Sequence, residues 1–276
     1  MIDFKKHSFI VFISVLFFSC DSNPFSSNVI SGNRDTISGR VELSGDEPEG
    51  VYIWLESFGV GTFSGQNGDF KLTLPPGNAE TSGTFNLYFF VANYAIDSAR
   101  VAINNGEFIF GDQEIDSNGR LIGTKKLDKF LEIVTTVLPE NVVTAPNVRE
   151  NVKISVDFTS LIDSTTIVIP RSVPGLLGGV FIENIETGEL YLYSSLPVTT
   201  STTLIVGKVK ITRSLTFEFI TLNLPRAQYR FVPYFLIFHQ QIPGGLIESI
   251  GQNTLAFAPN FLKLPLKKQD AIFEVK

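Results

Sequence analysis

The chain is poor in the residues on which thiol, metal and histidine chemistry depend. Its 276 residues include one cysteine, one tryptophan and two histidines. With Cys20 alone, no intramolecular disulfide can form, and a zinc site built from His and Cys is excluded by count. Of the two histidines, His7 lies near the N-terminus and His239 sits in "YFLIFHQQIPGG". A Ser-His-Asp triad would have to use His239, and the chain holds no Gly-x-Ser-x-Gly elbow to go with it. The simplest reading of His239 is a histidine at a strand end near a turn. Positive charge is also scarce: 22 Lys and Arg stand against 28 Asp and Glu, a net charge of −6. Without a basic stripe to neutralise phosphates, nucleic acid is not an expected partner. Gly59-x-Gly61 lies between strand signals rather than opening a helix, so no phosphate-binding loop is expected, and no cofactor.

What is present begins with the N-terminus. Lys5 and Lys6 precede an apolar run, Phe9 to Phe18, broken only by Ser14. That run is too short to cross a bilayer, which takes roughly 20 apolar residues. It fits the apolar core of a secretory signal, about 7–15 residues. Ser19 then precedes Cys20. The arrangement resembles a bacterial lipoprotein signal, with Phe17 and Phe18 standing where that family has a Leu and a small residue. The resemblance implies cleavage after residue 19, acylation of Cys20 and attachment to a membrane of the cell envelope: the outer membrane, on its periplasmic or surface face. An ordinary signal peptide or an uncleaved anchor remains the alternative. Residues 20–36, rich in Ser and Asn, read as a flexible tether.

From residue 37 onward the pattern is β. In "GDFKLTLP", Phe70, Leu72 and Leu74 share one face, and Asp69, Lys71 and Thr73 the other. "GTFNLYFFVAN" is apolar on both faces and predicts a central strand. Asn67-Gly68 and Asn105-Gly106 predict tight turns. The segment 125–138 is ambiguous: Leu127, Phe130, Leu131 and Val134 have helical spacing, but "IVTTVL" is β-branched, which favours a strand. "PENVVTAPNVREN" reads as a linker, after which "VKISVDF", "VFIENIETGELYLYSS", "LIVGKVKIT", "LTFEFITLNLP" and "YRFVPYFLIF" predict further strands. The expectation is an all-β protein of two β-sandwich domains, residues 37–139 and 152–276, joined by a linker at 140–151. The second sandwich is expected to be Ig-like or related.

The first domain resembles the carboxypeptidase regulatory-like family, a small transthyretin-like β-sandwich. The residues that carry this are Gly39-Arg40-Val41, "GVYIWLE" from Gly50, "GTFSGQNGDFKLTLPPG" from Gly61 to Gly77, and Asn93-Tyr94. Ser64-Gly65 replaces the family's Thr-Asp, and a loop is inserted at 78–83. The resemblance implies a spacer or docking module with no catalytic residues of its own, and fold alone does not assign a task.

Four patterns are candidates for function. If Val51, Ile53 and Leu55 face the core, Tyr52 and Trp54 point outward and could stack on a sugar ring. Alternatively, the second domain covers them. Glu114, Asp116, Asn118 and Gly119 are spaced like the start of a calcium loop, but Lys125 falls where a bidentate Glu should stand, which favours a plain turn. Thr36, Ser98 and Ser164 each follow an Asp and precede an apolar or Thr residue, a pattern that resembles the O-glycosylation acceptor of Bacteroidetes envelope proteins. Finally, Asp and Glu are numerous enough for a carboxylate pair, without any pair standing out. The leading expectation is a lipid-anchored, non-enzymatic structural or interaction module whose partner is an envelope protein or a glycan. The alternatives are a carbohydrate-binding surface lipoprotein and, behind it, a carboxylate-dependent hydrolase.

Overall fold

Eight strands build the first sandwich: β1 (Thr36–Leu43), β2 (Tyr52–Leu55), β3 (Val60–Phe63), β4 (Asp69–Thr73), β5 (Gly83–Phe90), β6 (Asp97–Asn104), β7 (Glu107–Phe108) and β8 (Lys125–Leu127). They are seen in a computed structural model that describes residues 34–276 apart from 78–79, 113, 143–150, 195–199, 220–221 and 240. One sheet runs β4-β1-β8 and the other β3-β2-β5-β6-β7. Alternation decides what faces inward. Ile37, Val41, Phe70 and Leu72 from the smaller sheet meet Ile53, Leu55, Leu87, Phe89 and Val101 from the larger one in a single core. β5 is the middle strand of its sheet, as its two apolar faces require. Two turns fix the register. Asn105 and Gly106 both take positive φ (49° and 74°) between β6 and β7. Gly68 (φ 79°) lies so close to β1 that a Cβ there would sit 2.0 Å from the Val41 carbonyl oxygen.

The second sandwich contains β9 (Leu131–Leu138), β10 (Asn141–Val142), β11 (Asn151–Ser160), β12 (Thr165–Pro170), β13 (Gly179–Asn184), β14 (Leu190–Ser194), β15 (Ser201–Val206), β16 (Ile211–Glu218), β17 (Ala227–Pro233), β18 (Leu236–Ile237) and β19 (Ala271–Val275). Its sheets are ordered β16-β11-β9, β10-β19-β17-β13-β14 and β15-β12-β18. They enclose a core that includes Ile154, Val156, Phe158, Ile167, Tyr229, Phe231 and Phe273. Between β18 and β19 the chain leaves the sheets. It forms the short helix α1 (Leu246–Ile250) and a 3-10 turn at Pro259–Lys263. Both sandwiches belong to one unit, Arg34–Lys276.

Three expectations are corrected. The boundary does not fall at the 140–151 linker. β9 pairs along all eight residues with β11, from Leu131↔Ser160 to Leu138↔Lys153, and β10 pairs in parallel with β19. The reason is that Leu131, Ile133 and Val137 alternate toward the second core and have no place in the first. Segment 125–138 is thus two strands, one in each sandwich. "LIVGKVKIT" is not one strand: β15 and β16 lie in different sheets, with the break at Gly207. "YRFVPYFLIF" is likewise split at Pro233, whose nitrogen cannot donate to a ladder.

Candidate functional site

Tyr52 and Trp54 do occupy the outer face of β2, but each is only 4% exposed. The stretch between β18 and β19 lies over them. Leu246, fully buried, packs with Tyr52, Trp54, Phe90 and Ala92, and Ile242, Ile247 and Ile250 extend the layer. The Tyr52 hydroxyl hydrogen-bonds the Ser249 hydroxyl at 2.9 Å, across 197 residues of sequence. Trp54 stacks on Tyr88 at 6.0 Å, and its indole N–H is buried with no hydrogen-bond partner among the described residues. No ring face is left open for a sugar: of the two possibilities for Tyr52 and Trp54, the structure shows the second, cover by a stretch of the second domain. Strand alternation places a side chain on a face, but it cannot say what chain later covers that face.

Beside this layer lies a polar knot. Asn93 is fully buried and binds three backbone groups. Its Nδ2 donates to the carbonyls of Leu131 (2.9 Å) and Lys267 (2.7 Å), and its Oδ1 accepts from the Lys267 N–H (3.0 Å). One residue of the first sandwich thus ties down both the first residue of β9 and the chain entering β19. The Ala92 N–H donates to the Pro265 carbonyl at 2.7 Å, in the same direction. Tyr94, next along, donates to the Asp46 carboxylate, which also takes the Lys129 ammonium at 2.5 Å. Burial alone would push the Asp46 carboxyl up, but hydrogen bonds from Lys129 and Tyr94 outweigh it and hold it below the usual range. Burial, with Asp46 adding, pushes the Tyr94 hydroxyl well up. His239 also joins this junction. Its Nε2 meets the Ala92 carbonyl at 2.6 Å, and its ring lies edge-on to Phe90 and Phe130. Burial lowers its pKa, with the Ala92 contact opposing.

The remaining predicted residues are not brought together. Thr36 hydrogen-bonds Asp35 (2.7 Å) and Thr73 (2.9 Å) at the start of β1, while Ser98 and Ser164 are exposed on separate strands or loops. The Asp116 carboxylate accepts the backbone N–H of Asn118 and of Arg120, each at 2.8 Å, which makes a turn and holds its pKa down. Cys20 lies outside the described residues. Among the described residues no group of three or more His, Cys, Asp or Glu stands close enough to hold a metal ion. Two concavities merit note. An open groove of about 420 Å³ is lined by Arg40, Asp116 and Arg120 among others. A cavity of about 290 Å³ lies against β17, with Arg230, Lys268 and Asp270 among its lining residues. Each holds one carboxylate, so neither has the paired acids that glycoside hydrolysis uses. Sequence reasoning missed Asn93 as a junction residue and missed the second cavity, whose charged residues come from distant stretches.

The fold and this junction describe an all-β protein of two sandwiches interlocked by a long excursion before the last strand. No family model matches the chain, and no curated protein matches it. Among solved structures, the major pilin subunit of Bacillus cereus aligns at 12% identity with a TM-score of 0.25. The alignment covers 72% of this chain and 64% of the pilin structure, so the chain spans under two thirds of that protein's length. A superposition that loose fixes neither topology nor function.

Proposed function

We propose that the protein is a lipid-anchored component of a bacterial cell envelope that acts as a rigid, non-enzymatic structural or interaction module. The observation that carries this reading is the interlock. The layer around Trp54 and Leu246, together with the three hydrogen bonds of Asn93, joins two sandwiches through buried contacts rather than through a free linker. Such a unit suits a spacer that must hold a docking surface at a set distance. A hinged pair of domains, the default where an inter-domain interface is small, does not. The anchor rests on Cys20 and the apolar run before it. The stretch 21–35 would serve as its tether, and two or more acyl chains would hold the protein stably where one would not. The first sandwich is read as the carboxypeptidase regulatory-like module, and Thr36, Ser98 and Ser164 as acceptors for O-linked glycans.

The test has two parts. Cys20→Ala should move the protein from the membrane fraction to the soluble one and abolish acyl labelling; labelling that persists would refute the anchor. Purification of the tagged chain from gently solubilised membranes should recover an envelope protein in near-equal amount. A solitary protein under the same conditions would count against an assembly role.

A further inference from the structure

The sheet β15-β12-β18 carries no charge. Its strands read STTLIV, TTIVIP and LI, in a chain where 18% of residues are charged. Its outer face is apolar as well. Ile205 and Phe238, 71% and 59% exposed, stand on either side of Thr166. Strands at the edge of a sheet are ordinarily protected from pairing by charge, proline, bulges or a cover. The edges β4, β8 and β16 follow that rule with Asp69 and Lys71, Lys125 and Lys126, and Arg213 and Glu218. β15 has neither charge nor proline, and among the described residues it pairs with β12 alone. β14 is uncharged too, but its most exposed side chain, Leu192, is 43% exposed.

The direction of the open backbone groups follows from one hydrogen bond. The Phe238 N–H donates to the Thr166 carbonyl at 2.9 Å, so Thr166 turns its backbone toward β18. That direction alternates along an antiparallel ladder. Thr165, Ile167 and Ile169 therefore turn toward β15, where they meet Val206, Leu204 and Thr202. The N–H and C=O groups of Ser201, Thr203 and Ile205 face the other way, at the open edge.

We propose that β15 is a dimer interface, at which a second copy of this chain adds its own β15 antiparallel and makes one continuous sheet. Residues opposite each other across a ladder share a face, so a two-fold pairing must set one residue opposite itself. With Thr203 at that centre, Ser201 stands opposite Ile205 of the copy, and every open N–H and C=O of the edge gains a partner. The sequence suits this: STTLIV combines high β propensity with no charge, no Pro and no Gly. Charge argues for a copy rather than a different protein. Two chains of net charge −6 repel unless they meet through a neutral surface, which this edge supplies. A different partner would be selected by complementary charge, and the edge offers none. The pairing is independent of the lipid anchor, so it is tested on whichever cell fraction holds the chain.

The first probe is Thr203→Cys in the full chain, oxidised with copper phenanthroline and mapped by peptide mass spectrometry. A hydrogen-bonded pair holds its Cα atoms about 5.5 Å apart, within disulfide range. The expected product is a dimer linked from position 203 to position 203, with no such product from Ser117→Cys, an exposed site on the first sandwich. Sedimentation of the purified full chain, in detergent if it comes from membranes, should give twice the chain mass. Thr203→Pro should raise the dissociation constant roughly thirtyfold, the worth of the two central hydrogen bonds. It removes no bond to β12, because the Thr203 N–H faces outward. Thr203→Lys, at an exposed position, keeps the fold and should also weaken the dimer by setting like charges opposite each other. A single chain mass, linkage at 203 no greater than at 117, linkage from 203 to another protein, or a dimer indifferent to both Thr203→Pro and Thr203→Lys would overturn the proposal.

Discussion

Each of the two five-stranded sheets carries a buried apolar patch on its outer face, and the two patches are covered from different sources. In the second sandwich, Phe181, Val232 and Tyr234 are covered by Phe257 and Phe261, from the chain that leads directly into that sheet's own β19. In the first, Tyr52, Trp54 and Phe90 are covered by α1, which belongs to the other sandwich. The same excursion closes one sheet locally and the other at long range. Only the second kind of cover makes the stability of one sandwich depend on the other.

The largest test of that difference is Trp54→Ala. Truncating a buried tryptophan should cost toward 5 kcal/mol, at the upper end of the roughly 3–5 kcal/mol seen for large aromatics. Because the ring lies under α1, the loss should loosen both sandwiches, read as early protease cleavage in α1 as well as a lower denaturation midpoint. Trp54→Phe should cost far less. The indole N–H it removes has no partner among the described residues, so no hydrogen bond is lost with it. Phe261→Ala should cost about 3 kcal/mol, because the site opens on a cavity into which neighbours can relax. Its effect should stay in the second sandwich: hydrogen exchange should rise in β13 and β17 and not in β2 and β5. Exchange rising equally in all four strands would erase the distinction between the two covers.

The smallest effect is that of pH on the junction. His239 has its pKa lowered by burial from the ordinary 6.5. The unfolded chain therefore binds the proton first as pH falls. The contribution from His239 is fully present above pH 6.5 and is lost progressively as pH drops below that value. Denaturation midpoints should decline from pH 7 to pH 5, and His239→Gln should flatten the decline. A slope unchanged in His239→Gln would mean that other groups carry it.

Local pattern and long-range cover explain what was legible in the chain. The alternation of Phe70 and Leu72 against Asp69, Lys71 and Thr73 predicts β4 and its faces, because strand period is a property of neighbouring residues. The two-sided apolarity of β5 predicts that its sheet is covered on both sides. It does not name α1, since the contact from Tyr52 to Ser249 spans 197 residues and leaves no periodic trace. A boundary at residue 139 fails for the same reason. Pro-rich composition after β9 looks like a linker, whereas membership of a sheet is decided by pairing with β11. Asn93, standing before Tyr94, had no visible role until three backbone partners from distant segments surrounded it. Arg230 and Lys268 meet only because β17 and the approach to β19 are neighbours in space.

Trp54 is the only tryptophan in the chain and lies in the shared layer, so its fluorescence reports the interlock alone. The decisive measurement follows that signal and the backbone circular dichroism together through a urea titration. A single coincident transition is expected, because the layer cannot open while both sandwiches remain folded. A tryptophan signal that changes at lower urea than the circular dichroism would show two sandwiches that separate before they unfold, and would contradict the rigid unit.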